Sequence, residues 1–207
     1  MDFAHPFRLV SPTLDGDVLT VLAGADEEFS GRRIHRLLGH GSEAGVRKAV
    51  ERLVDQGVVL RIQAGRAKLY RLNRRHLGAP GIELLAAVRT ELIARLREAI
   101  AGWQVAPRCA ALFGSAARGE AGPGSDLDLL VVRPADIEEE APPWREQLAS
   151  LERDATAWTG NDARIVELAE GELVGAERLL EQVLDEGIEL AGPLRLLRGA
   201  LGGGGSL

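Results

Sequence analysis

The residues whose types and spacing could do chemistry lie in one stretch, Phe113-Gly114-Ser115-Ala116-Ala117-Arg118-Gly119-Glu120, continued by Ala121-Gly122-Pro123-Gly124-Ser125-Asp126-Leu127-Asp128. An apolar strand is expected to run into Gly114-Ser115, with a helix after it. Gly114 lets the backbone approach a ligand closely. A new helix N-terminus offers free N–H groups to phosphate oxygens. Ser115 adds a hydroxyl, and Arg118, one turn on, adds a charge that does not titrate away. Asp126 and Asp128 then stand two apart at the start of a strand, so both carboxylates project from one face. An oxygen-rich pair of this kind suits Mg²⁺ or Mn²⁺. Metal held there can bridge phosphates and stabilise an in-line displacement.

The elements that must position these groups follow from periodicity. Pro107 to Phe113, Leu127 to Val132 and Ala163 to Leu168 read as strands; Pro143 to Trp158 and Glu172 to Glu186 read as helices. Strand and helix alternate, which predicts a mixed α/β sheet covered by helices. Ahead of them, Ile82 to Trp103 reads as one long amphipathic helix that connects two units. The first unit reads as three helices (Leu14–Ala23, Gly31–Leu38, Glu43–Gln56) and a hairpin (Val58–Gln63, Ala67–Leu72). Ser30 and Ser42 are the expected N-caps. The resulting division is 1–78, a connecting helix 79–104, a second domain 105–200, and a flexible tail 201–207 that includes the glycine run.

Composition narrows the class. The chain has 207 residues, 45% hydrophobic but only 4% aromatic, which fits two small globular domains with aliphatic cores. One cysteine, Cys109, excludes an internal disulfide and any cysteine-cluster zinc site. No signal peptide or membrane span is legible, so the expected location is cytoplasmic. The net charge of −6 is unevenly spread. Residues 1–80 hold 13 Lys and Arg against 9 Asp and Glu, and residues 81–207 hold 12 against 22. A basic first unit and an acidic second one predict different partners. The histidines His5, His35, His40 and His76 show no metal-ligand spacing. The acidic run Asp136 to Glu140 reads as a solvated loop. A P-loop is excluded because the chain has no Gly-x-x-x-x-Gly-Lys-Ser/Thr run.

The segment Gly114-Ser115, Arg118-Gly119, Ser125-Asp126-Leu127-Asp128-Leu129 resembles the signature of the DNA polymerase β-type nucleotidyltransferases, most of all the small "minimal" ones of prokaryotes. The resemblance implies that Gly114, Ser115, Arg118 and Ser125 bind the nucleoside triphosphate. It implies that Asp126 and Asp128 hold divalent metal and are catalytic. The reaction implied is transfer of a nucleoside monophosphate to a hydroxyl. The family's third carboxylate, from a later strand, falls on Arg164 here. Asp162 and Glu167 are the substitutes a register shift would offer; otherwise both read as solvated charges. An arginine there could bind phosphate or neutralise the site.

The first unit resembles the winged helix-turn-helix domains of bacterial regulators. That resemblance implies DNA binding through Ser42, Arg47, Lys48 and Arg52 on the third helix and Arg66 and Lys68 on the wing. Two further readings stay open. One is a DNA-binding regulator whose nucleotidyltransferase domain is a degenerate nucleotide sensor. The other is a toxin–antitoxin component with a small all-α partner. A homodimer would suit paired DNA half-sites.

Overall fold

The computed structural model describes residues 1–202 and divides the chain into two compact units, essentially residues 4–88 and 89–202. The tail expected beyond position 202 lies outside the described residues; Leu201 and Gly202 belong to a helix.

The first unit starts with a 3₁₀ turn, Pro6–Leu9, followed by α1 (Leu14–Ala23), β1 (Phe29–Ser30), α2 (Gly31–Leu38) and α3 (Glu43–Asp55). A hairpin, β2 (Val59–Ala64) and β3 (Ala67–Leu72), and α4 (Ala79–Ala86) complete it. Ser30 and Ser42 cap α2 and α3 by accepting the N–H groups of Arg33 and Gly45. These side chains satisfy donors that the first helical turn leaves free. Val46, Ala49, Val50 and Leu53 of α3 pack with Val18, Leu22, Ile34 and Tyr70 in one apolar core. The sheet is antiparallel in the order β1-β3-β2. The two-residue β1, which the sequence pattern does not announce, pairs Phe29 with Tyr70.

The expected long helix is broken at Ala87, where the backbone leaves helical geometry, giving α4 and α5 (Val88–Ala101). Ile82, Leu85 and Ala86 pack on the first core, whereas Leu92, Leu96 and Ile100 are buried in the second unit. Each half is recruited by a different core, and no glycine or proline marks the break.

The second unit contains β4 (Cys109–Phe113), the short α6 (Gly114–Arg118), β5 (Leu127–Arg133), α7 (Pro142–Thr159) and β6 (Ala163–Ala169). It continues through α8 (Glu177–Glu186), β7 (Ile188–Ala191) and α9 (Arg195–Gly202). The sheet order is β6-β5-β4-β7, with β5 and β6 parallel and the other pairs antiparallel. It is the mixed sheet expected, with β7 and α9 as additions. Four residues between Gly187 and Gly192 are too short a run to announce a strand.

One face of this sheet, with Cys109, Ala111, Phe113, Leu130 and Val132, packs against Leu180, Val183, Leu194 and Leu197 of α8 and α9 and the segment before α9. The other face meets α7, whose fully buried Trp144 donates its indole N–H to Glu167 of β6 at 2.7 Å. Trp103 packs edge-on to Trp144, and Arg95 of α5 lies over the Trp158 ring. The tryptophans therefore serve the helical layer. Among the described residues, no helix is long and apolar enough to cross a membrane.

Candidate functional site

The site forms where β4 ends and β5 begins. Phe113 pairs with Asp128, so the turn at Gly114 is brought beside the start of β5. Gly114 has φ +69°, and a Cβ built on it would stand 2.6 Å from Asp128 Oδ2. Backbone conformation and space both demand glycine there. The α6 helix that follows is a single turn. Arg89 of α5 holds its carbonyls, donating from Nε to Ala116 O at 3.1 Å and from its terminal nitrogen to Ala117 O.

Asp126 and Asp128 share the face of β5 that continues into Leu130 and Val132. The turn in front of them is organised from within the chain. Ser125 Oγ accepts the Gly122 N–H, and the buried Asn161 donates to both Gly122 O (2.9 Å) and Ser125 O (2.7 Å). Leu127 N–H then bonds to Asp162 O, which starts the parallel ladder in register. Ser125 Oγ thus supports the turn as an acceptor, and its own O–H remains a donor. Asn161 is a positioning residue that motif spacing does not reveal, since it lies 35 residues beyond Asp126.

Arg164 is the register partner of Asp128 across β5 and β6, and its guanidinium reaches Asp126 Oδ2 at 2.8 Å. Asp162 lies on the same side of β6 and is exposed. Glu167 is no solvated charge. It sits on the opposite side, where its carboxylate accepts from Arg133 Nε (2.8 Å), Trp144 Nε1 (2.7 Å) and Arg145 (2.9 Å).

A third carboxylate stands near the pair, but it comes from α8. Glu186 Oε1 accepts the Gly114 N–H at 3.0 Å and the Gln182 amide at 2.7 Å, and Oε2 takes an ion pair from Arg118. It therefore occupies two groups expected to receive phosphate, the Gly114 N–H and Arg118. The Gln182 and Arg118 contacts hold the Glu186 carboxyl below its ordinary range. Asp128 is displaced the other way. Burial raises its pKa, the Asp126 charge adds to this, Arg164 opposes it, and Glu186 adds a smaller upward push. Nothing in the sequence marks Glu186, which reads as the last residue of an amphipathic helix.

In the first unit, Arg47 and Lys68 come together. With Arg32, Tyr70 and Glu43 they line a cleft of about 530 Å³ between α2, α3 and the hairpin. Lys48 is exposed on α3, and Arg66 is exposed at the hairpin tip. Arg52 does not join them. It is engaged by both carboxylate oxygens of Asp15, at 3.1 and 2.6 Å, which raises its pKa. Ser42 Oγ is committed to its cap. Tyr70 is buried, with its hydroxyl on Glu51.

The second unit thus presents paired carboxylates beside a glycine turn and the start of a short helix, at one end of a mixed sheet. Residues 94–187 match the family model described as nucleotidyltransferase domain, and the second unit of the chain carries such a domain. A solved structure described as a minimal nucleotidyltransferase is 37% identical. Its match covers 51% of this chain and 92% of that one, with a TM-score of 0.33. A toxin–antitoxin structure with AMP-PNP is 22% identical, covering 54% of this chain and 81% of that one, with a TM-score of 0.36. No protein of curated function matches the chain.

Proposed function

We propose that the chain is a divalent-metal-dependent nucleotidyltransferase. It moves a nucleoside monophosphate from a nucleoside triphosphate to a hydroxyl acceptor, and a winged helix in its first unit binds DNA. The observation that carries the enzymatic reading is the meeting of Asp126, Asp128 and the Gly114 turn at one end of the sheet.

The donor set fits Mg²⁺ or Mn²⁺. It is all oxygen, and the two carboxylates stand close enough that the Asp126 charge adds to the upward push that burial gives Asp128. Asp126 and Asp128 would hold the ion, which when bound neutralises phosphate charge and favours an in-line displacement. The Gly114 N–H, the Ser115 hydroxyl and Arg118 receive phosphate oxygens once Glu186 releases the first and the last of them. Arg164 must leave Asp126 for metal to enter. Its guanidinium is then available for bidentate contact with phosphate.

The test is a calorimetric titration with Mg²⁺ and each of the four NTPs, on wild type and on Asp126→Ala/Asp128→Ala. Binding in the wild type that vanishes in the double variant supports the site, and binding that survives in the variant overturns it. Turnover is then sought as pyrophosphate release over a panel of hydroxyl acceptors.

A second reading rests on the Arg164–Asp126 ion pair. If Arg164 keeps its hold on the carboxylate, the domain binds nucleotide without turnover and the chain is a DNA-binding regulator that senses it. Nucleotide binding with no pyrophosphate release, together with an operator affinity that changes with nucleotide, would favour this reading.

A further inference from the structure

A cluster outside the nucleotidyltransferase domain has no part in the chemistry above. His5, at the entry to the 3₁₀ turn, Asp17 of α1, and His40, in the turn between α2 and α3, bring one ligand atom each to within 4.8 Å of one another. His5 Nε2 and His40 Nε2 are 3.2 Å apart, and His40 Nε2 is 3.4 Å from Asp17 Oδ2. These separations match the edges of a tetrahedron around zinc, about 3.3 Å for bonds of about 2.0 Å. Motif spacing hides the site, because its ligands are 12 and 23 residues apart along the chain.

Two features make a chance grouping a poor account. Asp17 is only 4% exposed, and its Oδ1 is buried without a hydrogen-bond partner. A buried carboxylate left in that state is costly unless a cation or donor meets it. The two imidazoles also point the same ring nitrogen at each other, so at most one of them can donate across the gap. A cation placed among the three atoms accepts both nitrogen lone pairs and the carboxylate at once.

The surroundings are those of a ligand set with outer support. Asp2 Oδ1 lies 3.4 Å from His5 Nδ1, the nitrogen facing away from the cluster. It is anchored there by the His5 backbone N–H at 2.8 Å. His5 Nδ1 is buried without a hydrogen-bond partner, and a slightly closer approach of this carboxylate would orient a metal-bound imidazole and raise its basicity. Arg8 stands further out, 3.6 Å from Asp2 Oδ2 and 3.9 Å from Asp17 Oδ2. It balances Asp2 and competes weakly with an ion for Asp17.

We propose that His5, Asp17 and His40 form a binding site for a zinc-class divalent ion, completed by water, which ties the N-terminal segment to α1 and to the α2–α3 turn. Two imidazoles and one carboxylate prefer zinc, cobalt or nickel to magnesium. His40 lies between Gly39 (φ 70°) and Gly41 (φ 76°), two residues before the Ser42 cap of α3. Occupancy of the site therefore fixes the entry to α3.

The experiment uses the full chain without a polyhistidine tag, stripped with chelator and dialysed. Co²⁺ is titrated in and the visible spectrum recorded, and Zn²⁺ is then added. The expected result is one equivalent of Co²⁺ with the intense bands of four-coordinate geometry, displaced by Zn²⁺. His5→Gln and His40→Gln should each lose on the order of 100-fold in affinity or more. Asp2→Asn should lose about tenfold, as outer partners do. The intense four-coordinate bands should persist unchanged in Asp126→Ala/Asp128→Ala, which separates this site from any Co²⁺ held by the proposed catalytic carboxylates. X-ray absorption of the zinc-loaded wild type should count two imidazoles on the ion, a reading independent of how any variant folds. Absence of saturable binding, a spectrum lacking two imidazoles, or affinity lost only in the Asp126/Asp128 variant would overturn the proposal.

Discussion

Asp128 presses its carboxylate against the α-carbon of Gly114, so closely that a methyl group there would stand 2.6 Å from Oδ2. Gly114→Ala must therefore move the aspartate or the turn, and it also places a side chain at φ +69°. The expected cost is about 1–3 kcal/mol of stability, read from urea unfolding. NTP binding should be lost at temperatures where the variant is still folded. Wild-type nucleotide affinity in a folded Gly114→Ala variant would show that the turn is not the phosphate cradle.

Glu186 fills the anion positions of the turn, holding the Gly114 N–H and Arg118. Removing its charge should loosen its hold on both groups, with Arg118 still paired to Glu120 through Nε and its terminal nitrogens open to phosphate. Glu186→Gln is expected to tighten binding of the triphosphate by about tenfold, equivalent to about 1.4 kcal/mol. Weaker binding in calorimetry would instead mean that the carboxylate works with Asp126 and Asp128 on the metal.

Arg164 holds the Asp126 carboxylate at 2.8 Å, where it would compete with the proposed metal. For Arg164→Ala, Mn²⁺ alone should bind about tenfold more tightly, since a charged partner no longer has to be displaced. The triphosphate should bind more weakly at saturating Mn²⁺, because a guanidinium contact is gone. Unchanged Mn²⁺ affinity in a titration followed by electron paramagnetic resonance would refute the competition.

Arg47 and Arg52 lie on the same helix but differ in engagement. Arg47 lines the basic cleft, whereas Arg52 is held by Asp15. Arg47→Ala should weaken DNA binding and lower the salt slope by about 1. Arg52→Ala should leave the slope unchanged. Fluorescence anisotropy over a salt series separates the two, and equal slopes for both variants would sink the assignment of the cleft to DNA.

Cys109 is buried in β4, and burial pushes its thiol from its ordinary value of 9.0 up to about 11. The folded pKa is raised, so the fold favours the neutral thiol. Its contribution to stability is complete below pH 9 and is lost as the pH rises through about 11. Iodoacetamide at pH 8 should label the unfolded chain and spare the native one. Rapid labelling of the native chain would contradict this.

Much of this could be read from the residues. The meeting of the Gly114 turn with Asp128 was legible in the motif at 113–128 because it depends on short-range spacing. The two N-cap serines were legible for the same reason. Glu186, Asn161 and the His5–His40 meeting were not, because each depends on a distant segment being packed into place. The break at Ala87 escaped because helix propensity runs smoothly through it and only the competition of two cores divides it.

The threefold grip on Glu167 by Arg133, Trp144 and Arg145 has a consequence for how this site can change over generations. Sliding β6 by one residue would tear that carboxylate from all three donors and turn the apolar side of the strand outward. A mutational path to an acidic group beside Asp128 therefore runs through a codon change at position 164, and not through an insertion or deletion in the loop before β6.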